Sequence, residues 1–208
     1  MNTVAVISYT AAAGLFLVLG ALLVTSWRGR MQGGLLVTAC FVSAAWAGLI
    51  ALASSGVQVP LQVLAVSEFV RDGAWLVFLA RLAMTLGVSP ITRTLAHLAW
   101  VGSLLWALAA FVEPELSAAS AMIMGGLATA LMGLVLVEQI YRGAPPEARW
   151  GLKFLIIAVG LLFAYDLFLL SQAYVTQSLS GDAWVARGLI NASIVPFLAI
   201  AARRNPTW

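Results

Sequence analysis

The sequence is poor in charged residues, cysteine and histidine. Charged side chains make up 9% of its 208 residues, and it contains one cysteine and one histidine. Because soluble domains carry about 25% charged residues, the composition excludes an ordinary soluble domain. A single cysteine, Cys40, excludes an intrachain disulfide and a multi-cysteine metal site. A single histidine, His97, gives little support to zinc or haem ligation, so we expect no cofactor.

Sequence motifs of common enzymes are absent as well. There is no phosphate-binding Gly-x-x-x-x-Gly-Lys loop, no nucleophile elbow and no ATP-binding segment. We therefore predict that this chain is not itself an enzyme. The net charge is only +3, and its basic residues flank apolar runs, so the charge reflects membrane topology and predicts no nucleic-acid partner.

Long apolar runs dominate the sequence, since 62% of the residues are hydrophobic. A transmembrane helix needs about 20 predominantly apolar residues. The alternating pattern of a membrane β-barrel is missing, so the sequence predicts an all-α integral membrane bundle of seven transmembrane helices in a single domain, 1–208. The first run is too long for a signal peptide, and we expect it to be retained. The predicted spans are about 4–26, 33–55, 61–86, 94–112, 117–141, 150–178 and 184–202.

The basic residues mark one face of the membrane, because eight of the eleven Lys and Arg residues fall at alternate ends of the apolar runs. The opposite connections contain Glu113, Glu115 and Asp182 and no Lys or Arg. Basic residues that flank spans stay in the cytoplasm, so we predict an outside amino terminus and a cytoplasmic carboxyl terminus. The eight residues are Arg28, Arg30, Arg93, Arg142, Arg149, Lys153, Arg203 and Arg204.

Polar side chains inside the third, sixth and seventh runs form a first candidate site. An unpaired charge at this depth costs at least ~2.5 kcal/mol, so we expect the three helices to share one paired network. The network is either a small-ligand site open to the periplasm or outer leaflet, or a set of ion pairs that holds the helices together. Its members are Glu68, Arg71 and Asp72, then Tyr165 and Asp166, then Arg187 and Asn191.

A second candidate group lies at the predicted cytoplasmic face, where Pro145 and Pro146 end the fifth helix. One interpretation is a signal-coupling surface that contacts a cytoplasmic output module. The other is a stiff turn whose charges mark the lipid headgroup boundary. The group consists of Glu138, Tyr141, Arg142, Glu147, Arg149, Lys153, Arg203 and Arg204.

Several segments together carry a resemblance to a known family, and residues 138–206 are its most specific part. The chain resembles the amino-terminal membrane region of PrsK-type histidine kinases, which are associated with PEP-CTERM protein sorting and exopolysaccharide systems in Gram-negative bacteria. The segments are Trp27-Arg28-Gly29-Arg30, Glu138 to Arg142, Pro145 to Phe154, Ala164-Tyr165-Asp166, Ala186 to Asn191 and Ala202 to Pro206.

This resemblance implies a multi-pass sensor in the bacterial inner membrane. In the full-length protein it implies a GAF-like domain and a histidine-kinase core that passes phosphate to a response regulator. We therefore expect a sensory input domain in the lipid bilayer, with an unknown small ligand and a homodimeric partner. A small multi-pass transporter or channel is the alternative, and an intramembrane enzyme ranks third because no nucleophile-base or metal constellation is found.

Overall fold

A computed structural model describes residues 2–26, 29–113 and 115–205 of the chain. Within these ranges the chain is all-helical and contains no strand, which confirms the all-α part of the predicted fold class. Arg28, predicted at the cytoplasmic boundary, lies outside the described residues, as do Trp27 and Pro206, which contribute to the family resemblance.

Seven helices form along the described ranges, one for each predicted apolar run. Pro90 and Pro146 occupy the first turns of α4 and α6, where a missing N–H removes no helical hydrogen bond. Both helices start about one turn before their predicted spans, because these first turns are polar and hydropathy does not register them. The helices are α1 Thr3–Ser26, α2 Met31–Ser54, α3 Leu61–Thr85, α4 Pro90–Ala109, α5 Ala118–Gly143, α6 Pro146–Thr176 and α7 Gly181–Arg204.

Five of these helices, α1, α2, α5, α6 and α7, are long and apolar enough to cross a membrane. This finding indicates a multi-pass membrane protein. The other two contain more polar residues: α3 carries Glu68, Arg71 and Asp72 within little more than one turn, and α4 carries Arg93 and His97 near its start.

The helices pack in a ring in chain order, and the ring closes because α7 contacts α1 as well as α6. Helix α3 also contacts α5 across the ring, and it buries more residues than any other helix. The indole ring of Trp75 on α3 is fully buried, and its Nε1 donates a hydrogen bond to Ser43 Oγ of α2 over 3.0 Å. Helix α3 therefore lies at the centre of the bundle, and its polar side chains can form a buried site.

The half of the bundle towards the end of α3 is filled by apolar side chains. Phe78, Leu79, Leu162, Phe163 and Leu198 are all fully buried in one cluster there. Close packing of this kind leaves few voids among these side chains. Glu68, Arg71 and Asp72 therefore lie above this apolar layer, while Arg81 lies beside it near the end of α3.

Candidate functional site

Five charged side chains from α3, α6 and α7 meet in the interior of the bundle. None is more than 6% exposed, so each charge depends on the others for compensation. We call this set the charge cluster. It consists of Glu68, Arg71, Asp72, Asp166 and Arg187.

Arg187 of α7 connects all three helices. Its Nη1 and Nη2 donate to Glu68 Oε1 and Oε2 over 2.7 and 2.8 Å, which is a bidentate pair. Its Nε donates to Asp166 Oδ1 over 2.6 Å. A planar guanidinium fixes two carboxylates at defined positions in this way, so α3, α6 and α7 are tied at a single depth.

Arg71 of α3 completes the charge cluster from the other side. Its Nη2 donates to Asp166 Oδ2 and, over 2.8 Å, to Asp72 Oδ1. The hydroxyl of Thr129 on α5 donates to Asp72 Oδ2 over 3.0 Å. Sequence reasoning missed Thr129, because a single threonine in an apolar run gives no distinctive signal. Asp166 thus bridges both arginines, whereas Asp72 pairs with one of them.

Aromatic rings cover the two guanidinium groups. The Cζ atoms of Arg71 and Arg187 lie 4.2 and 4.9 Å from the Trp46 ring centre, and that of Arg187 lies 5.4 Å from Trp184. Tyr9 packs edge-on against Trp46 and donates from its hydroxyl to the Trp184 carbonyl over 2.9 Å. Desolvated cation–π contacts stabilise such buried cations. The sequence did not identify Trp46 or Tyr9, since aromatic residues in apolar runs resemble ordinary core.

The charge cluster encloses almost no free space. The cavity beside it measures about 10 Å³, which is roughly the room that one water needs. Arg71 Nη1 and Asn191 Oδ1 are buried without a hydrogen-bond partner in the described chain. In this conformation the geometry therefore fits the ion-pair interpretation and leaves no room for a ligand among the charges.

A larger cavity of about 620 Å³ opens above the charge cluster, and we call it the vestibule. It lies between the end of α2, the start of α3, the start of α5, the end of α6 and the start of α7. Met122 lines both the vestibule and the small cavity, and Trp184 lines the vestibule while covering Arg187. A ligand in the vestibule would be one side chain away from the buried charges.

The lining of the vestibule defines the kind of molecule that it suits. Apolar side chains such as Ile50, Leu64 and Ile123 form most of the wall, while Ser120 and Gln177 add polar groups. A concave, mainly apolar site with a few polar groups is typical of small-molecule binding sites. The vestibule therefore suits a small molecule that is largely apolar.

Two predicted members of the first candidate site have other roles. Tyr165 donates from its hydroxyl to the Ala183 carbonyl over 2.7 Å, so it links α6 to α7 and makes no hydrogen bond to the charge cluster. Asn191 donates from Nδ2 to the backbone carbonyl of Arg187 over 2.9 Å. Asn191 thus lies beside the charge cluster without pairing with its carboxylates.

The second candidate group separates into exposed charges and an ordered turn. Arg142 and Glu138 form an exposed ion pair of 2.7 Å on α5, which contributes little to stability. Glu147 and Arg203 are exposed, and neither forms an ion pair within the described ranges. Their positions at helix ends agree with charges that mark a boundary with water.

The ordered part of this group surrounds the turn between α5 and α6. Arg149 donates from Nε to the Ala144 carbonyl over 3.0 Å, and its Cζ lies 5.7 Å from the Tyr141 ring centre. Arg204 at the end of α7 lies over Trp150, 4.9 Å from its ring centre, and Lys153 lies 5.5 Å from the same ring. The start of α6 and the end of α7 are therefore in direct contact.

Comparisons of the chain with models of protein families, with curated proteins and with solved structures give no match. The resemblance to PrsK-type sensor regions therefore stays a prediction from the sequence.

Proposed function

We propose that this chain is the membrane-embedded sensory input domain of a bacterial two-component histidine kinase. It spans the inner membrane seven times, with its amino terminus outside and its carboxyl terminus in the cytoplasm. The observation that carries the proposal is a closed charge cluster joining three helices directly beneath an open, largely apolar vestibule. The sequence resemblance to PrsK-type sensor regions supports the part of the proposal that concerns a histidine kinase.

The signal is a small, largely apolar molecule that enters the vestibule from the periplasm or the outer leaflet. It contacts Trp184, whose ring also covers Arg187. A ligand shifts a conformational equilibrium only through different affinities for the two states. Movement of Trp184 changes the environment of Arg187, so the ligand favours one of two packings of α7.

Helix α7 carries this change to the other side of the membrane. It runs for 24 residues from Gly181 to Arg204, which is about 36 Å and enough to cross the bilayer. Pro196 lies within it, and a proline removes one helical hydrogen bond and lets the helix bend there. Arg203 and Arg204 at its end mark the point where the signal passes to the kinase module.

The test measures autophosphorylation of the full-length protein in liposomes. Glu68→Gln breaks the bidentate pair with Arg187, so we expect kinase activity in the absence of ligand to change severalfold. Glu113→Gln makes the same chemical change at an exposed position outside the charge cluster, the vestibule and the candidate coupling group, so it is the matched control and leaves activity unchanged. If folded Glu68→Gln protein retained wild-type output, or if the encoded protein contained no kinase module, the proposal would be wrong.

The transporter or channel alternative has less support. Transport requires a polar route to both faces, whereas a cluster of buried apolar side chains that includes Phe78, Leu162 and Phe163 lies below the charge cluster. A substrate-dependent flux in liposomes would favour this alternative.

A further inference from the structure

We propose that a groove beside the turn between α5 and α6 binds the headgroup of an anionic phospholipid. The groove has a volume of about 540 Å³. Its wall includes Arg149 and Lys153, the rings of Tyr141 and Trp150, and the apolar side chain of Ile157. The proposal is independent of the sensory function and of the orientation of the chain in the membrane.

The charged end of the groove has the chemistry that a phosphate needs. Neither Arg149 nor Lys153 forms an ion pair with a carboxylate of the described residues. The Nε and Nη2 atoms of Arg149 donate to the carbonyls of Ala144 and Arg142 over 3.0 and 3.4 Å. These contacts hold the guanidinium in place, and its Nη1 has no partner within the described part of the chain. Two uncompensated cations therefore face the groove, one of them preorganised.

The turn adds a further preference for negative charge. Arg149 and Lys153 lie in the first two turns of α6, which begins at Pro146. The amino-terminal end of a helix carries a partial positive charge from its free N–H groups. Glu147 in the first turn is exposed to solvent and offsets part of this charge. The two basic side chains and the helix end together still favour an anionic ligand.

The rest of the groove favours a lipid over a free phosphate ion. Trp150 is 63% exposed and Tyr141 is 44% exposed, as expected for rings that lie at the membrane–water interface. From Arg149 to Ile157 the helix rises about 12 Å, and Ile156 and Ile157 line the apolar end. A groove that passes from cations to isoleucines along a helix fits a phosphate that continues into acyl chains.

The test compares retained lipids by native mass spectrometry after the protein is equilibrated in mixed micelles of phosphatidylglycerol and phosphatidylcholine. We expect the wild-type protein to retain phosphatidylglycerol preferentially. Lys153→Gln should lower that preference about fivefold, as expected for one basic side chain near an anionic surface. Lys153 is exposed, so this variant is expected to fold, and circular dichroism verifies it.

Arg142→Gln is the matched control, since it removes one positive charge at the same end of the bundle but outside the groove. It should leave the lipid preference unchanged. Equal losses in the two variants, or equal retention of both lipids by the wild type, would overturn the proposal. Complete displacement of phosphatidylglycerol by millimolar inorganic phosphate would also overturn it, because the site would then recognise phosphate without the acyl chains.

Discussion

The five residues of the charge cluster are not equivalent, and the difference predicts unequal losses of stability for two similar substitutions. Asp166 accepts hydrogen bonds from both arginines, whereas Asp72 is bonded to Arg71 and Thr129. Three carboxylates face two guanidinium groups, so the fully ionised cluster carries one excess negative charge. Removing the charge of Asp72 therefore leaves the two arginines balanced by two carboxylates.

We expect Asp166→Asn to lower the free energy of unfolding by about 3 to 5 kcal/mol, the cost of leaving a buried charge without its partner. Asp72→Asn should cost less than about 1 kcal/mol, because an amide oxygen still accepts from Arg71. Thermal and denaturant unfolding in detergent measure the difference. Equal losses in the two variants would show that Asp166 has no special bridging role.

Trp46 is the second residue that permits a test, because its cation–π contribution to stability can be separated from the effect of filling space. Both guanidinium groups lie over its ring, and a desolvated cation–π contact contributes about 2 kcal/mol or more. We expect Trp46→Leu to destabilise the protein by at least about 2 kcal/mol more than Trp46→Phe, because phenylalanine keeps an aromatic face. The unfolding free energies of the two variants, measured in one detergent, give the comparison. Variants of equal stability would mean that the ring acts only by filling space.

At the level of helices, glycine sets how closely α5 approaches α6. A Cβ atom added to Gly133 would lie 2.5 Å from Cδ2 of Phe163, which is fully buried. We expect Gly133→Ala to cost about 1 to 3 kcal/mol through overpacking. Gly14 on α1 is the matched control, because an added Cβ meets nothing within 4 Å. Gly14→Ala should be neutral or stabilise by up to about 1 kcal/mol, and thermal unfolding of both variants tests the contrast.

The sequence predicts the helices better than it predicts the contacts between them. Apolar length alone located all seven helices, whereas the starts of α4 and α6 were misplaced because their first turns are polar. The cost of burying charge correctly suggested that Glu68, Asp166 and Arg187 would meet. It could not predict the partner of Tyr165, because an amphipathic ring can lie at a helix–helix contact as well as beside a charged group. Thr129 and Trp46 were missed because their roles depend on packing that hydropathy does not encode.

On the scale of the whole molecule, the charge cluster divides the bundle into two parts, the vestibule and the apolar core. The vestibule is open near the start of α7, and the apolar core lies towards its end, where Leu198 is fully buried. A single layer of charges, held by Arg187, separates them. Because both parts contact α7, a change at the vestibule can reach the opposite face through one helix.

Membrane orientation is the remaining prediction at this scale, and one fusion position on each side of α5 tests it. Glu113 and Glu115 precede α5, whereas Arg142 and Arg149 lie around its end. Basic residues that flank spans are retained in the cytoplasm. We therefore expect alkaline phosphatase to be active when fused after Glu115 and inactive when fused after Ala144.

A reporter that matures only in the cytoplasm should give the reverse pattern at the same two positions, which controls for differences in expression. Activity of alkaline phosphatase only after Ala144 would reverse the orientation. The vestibule, which lies at the Glu115 end of α5, would then face the cytoplasm, and a periplasmic or outer-leaflet signal could not enter it. Activity at both positions or at neither would show that α5 does not cross the membrane.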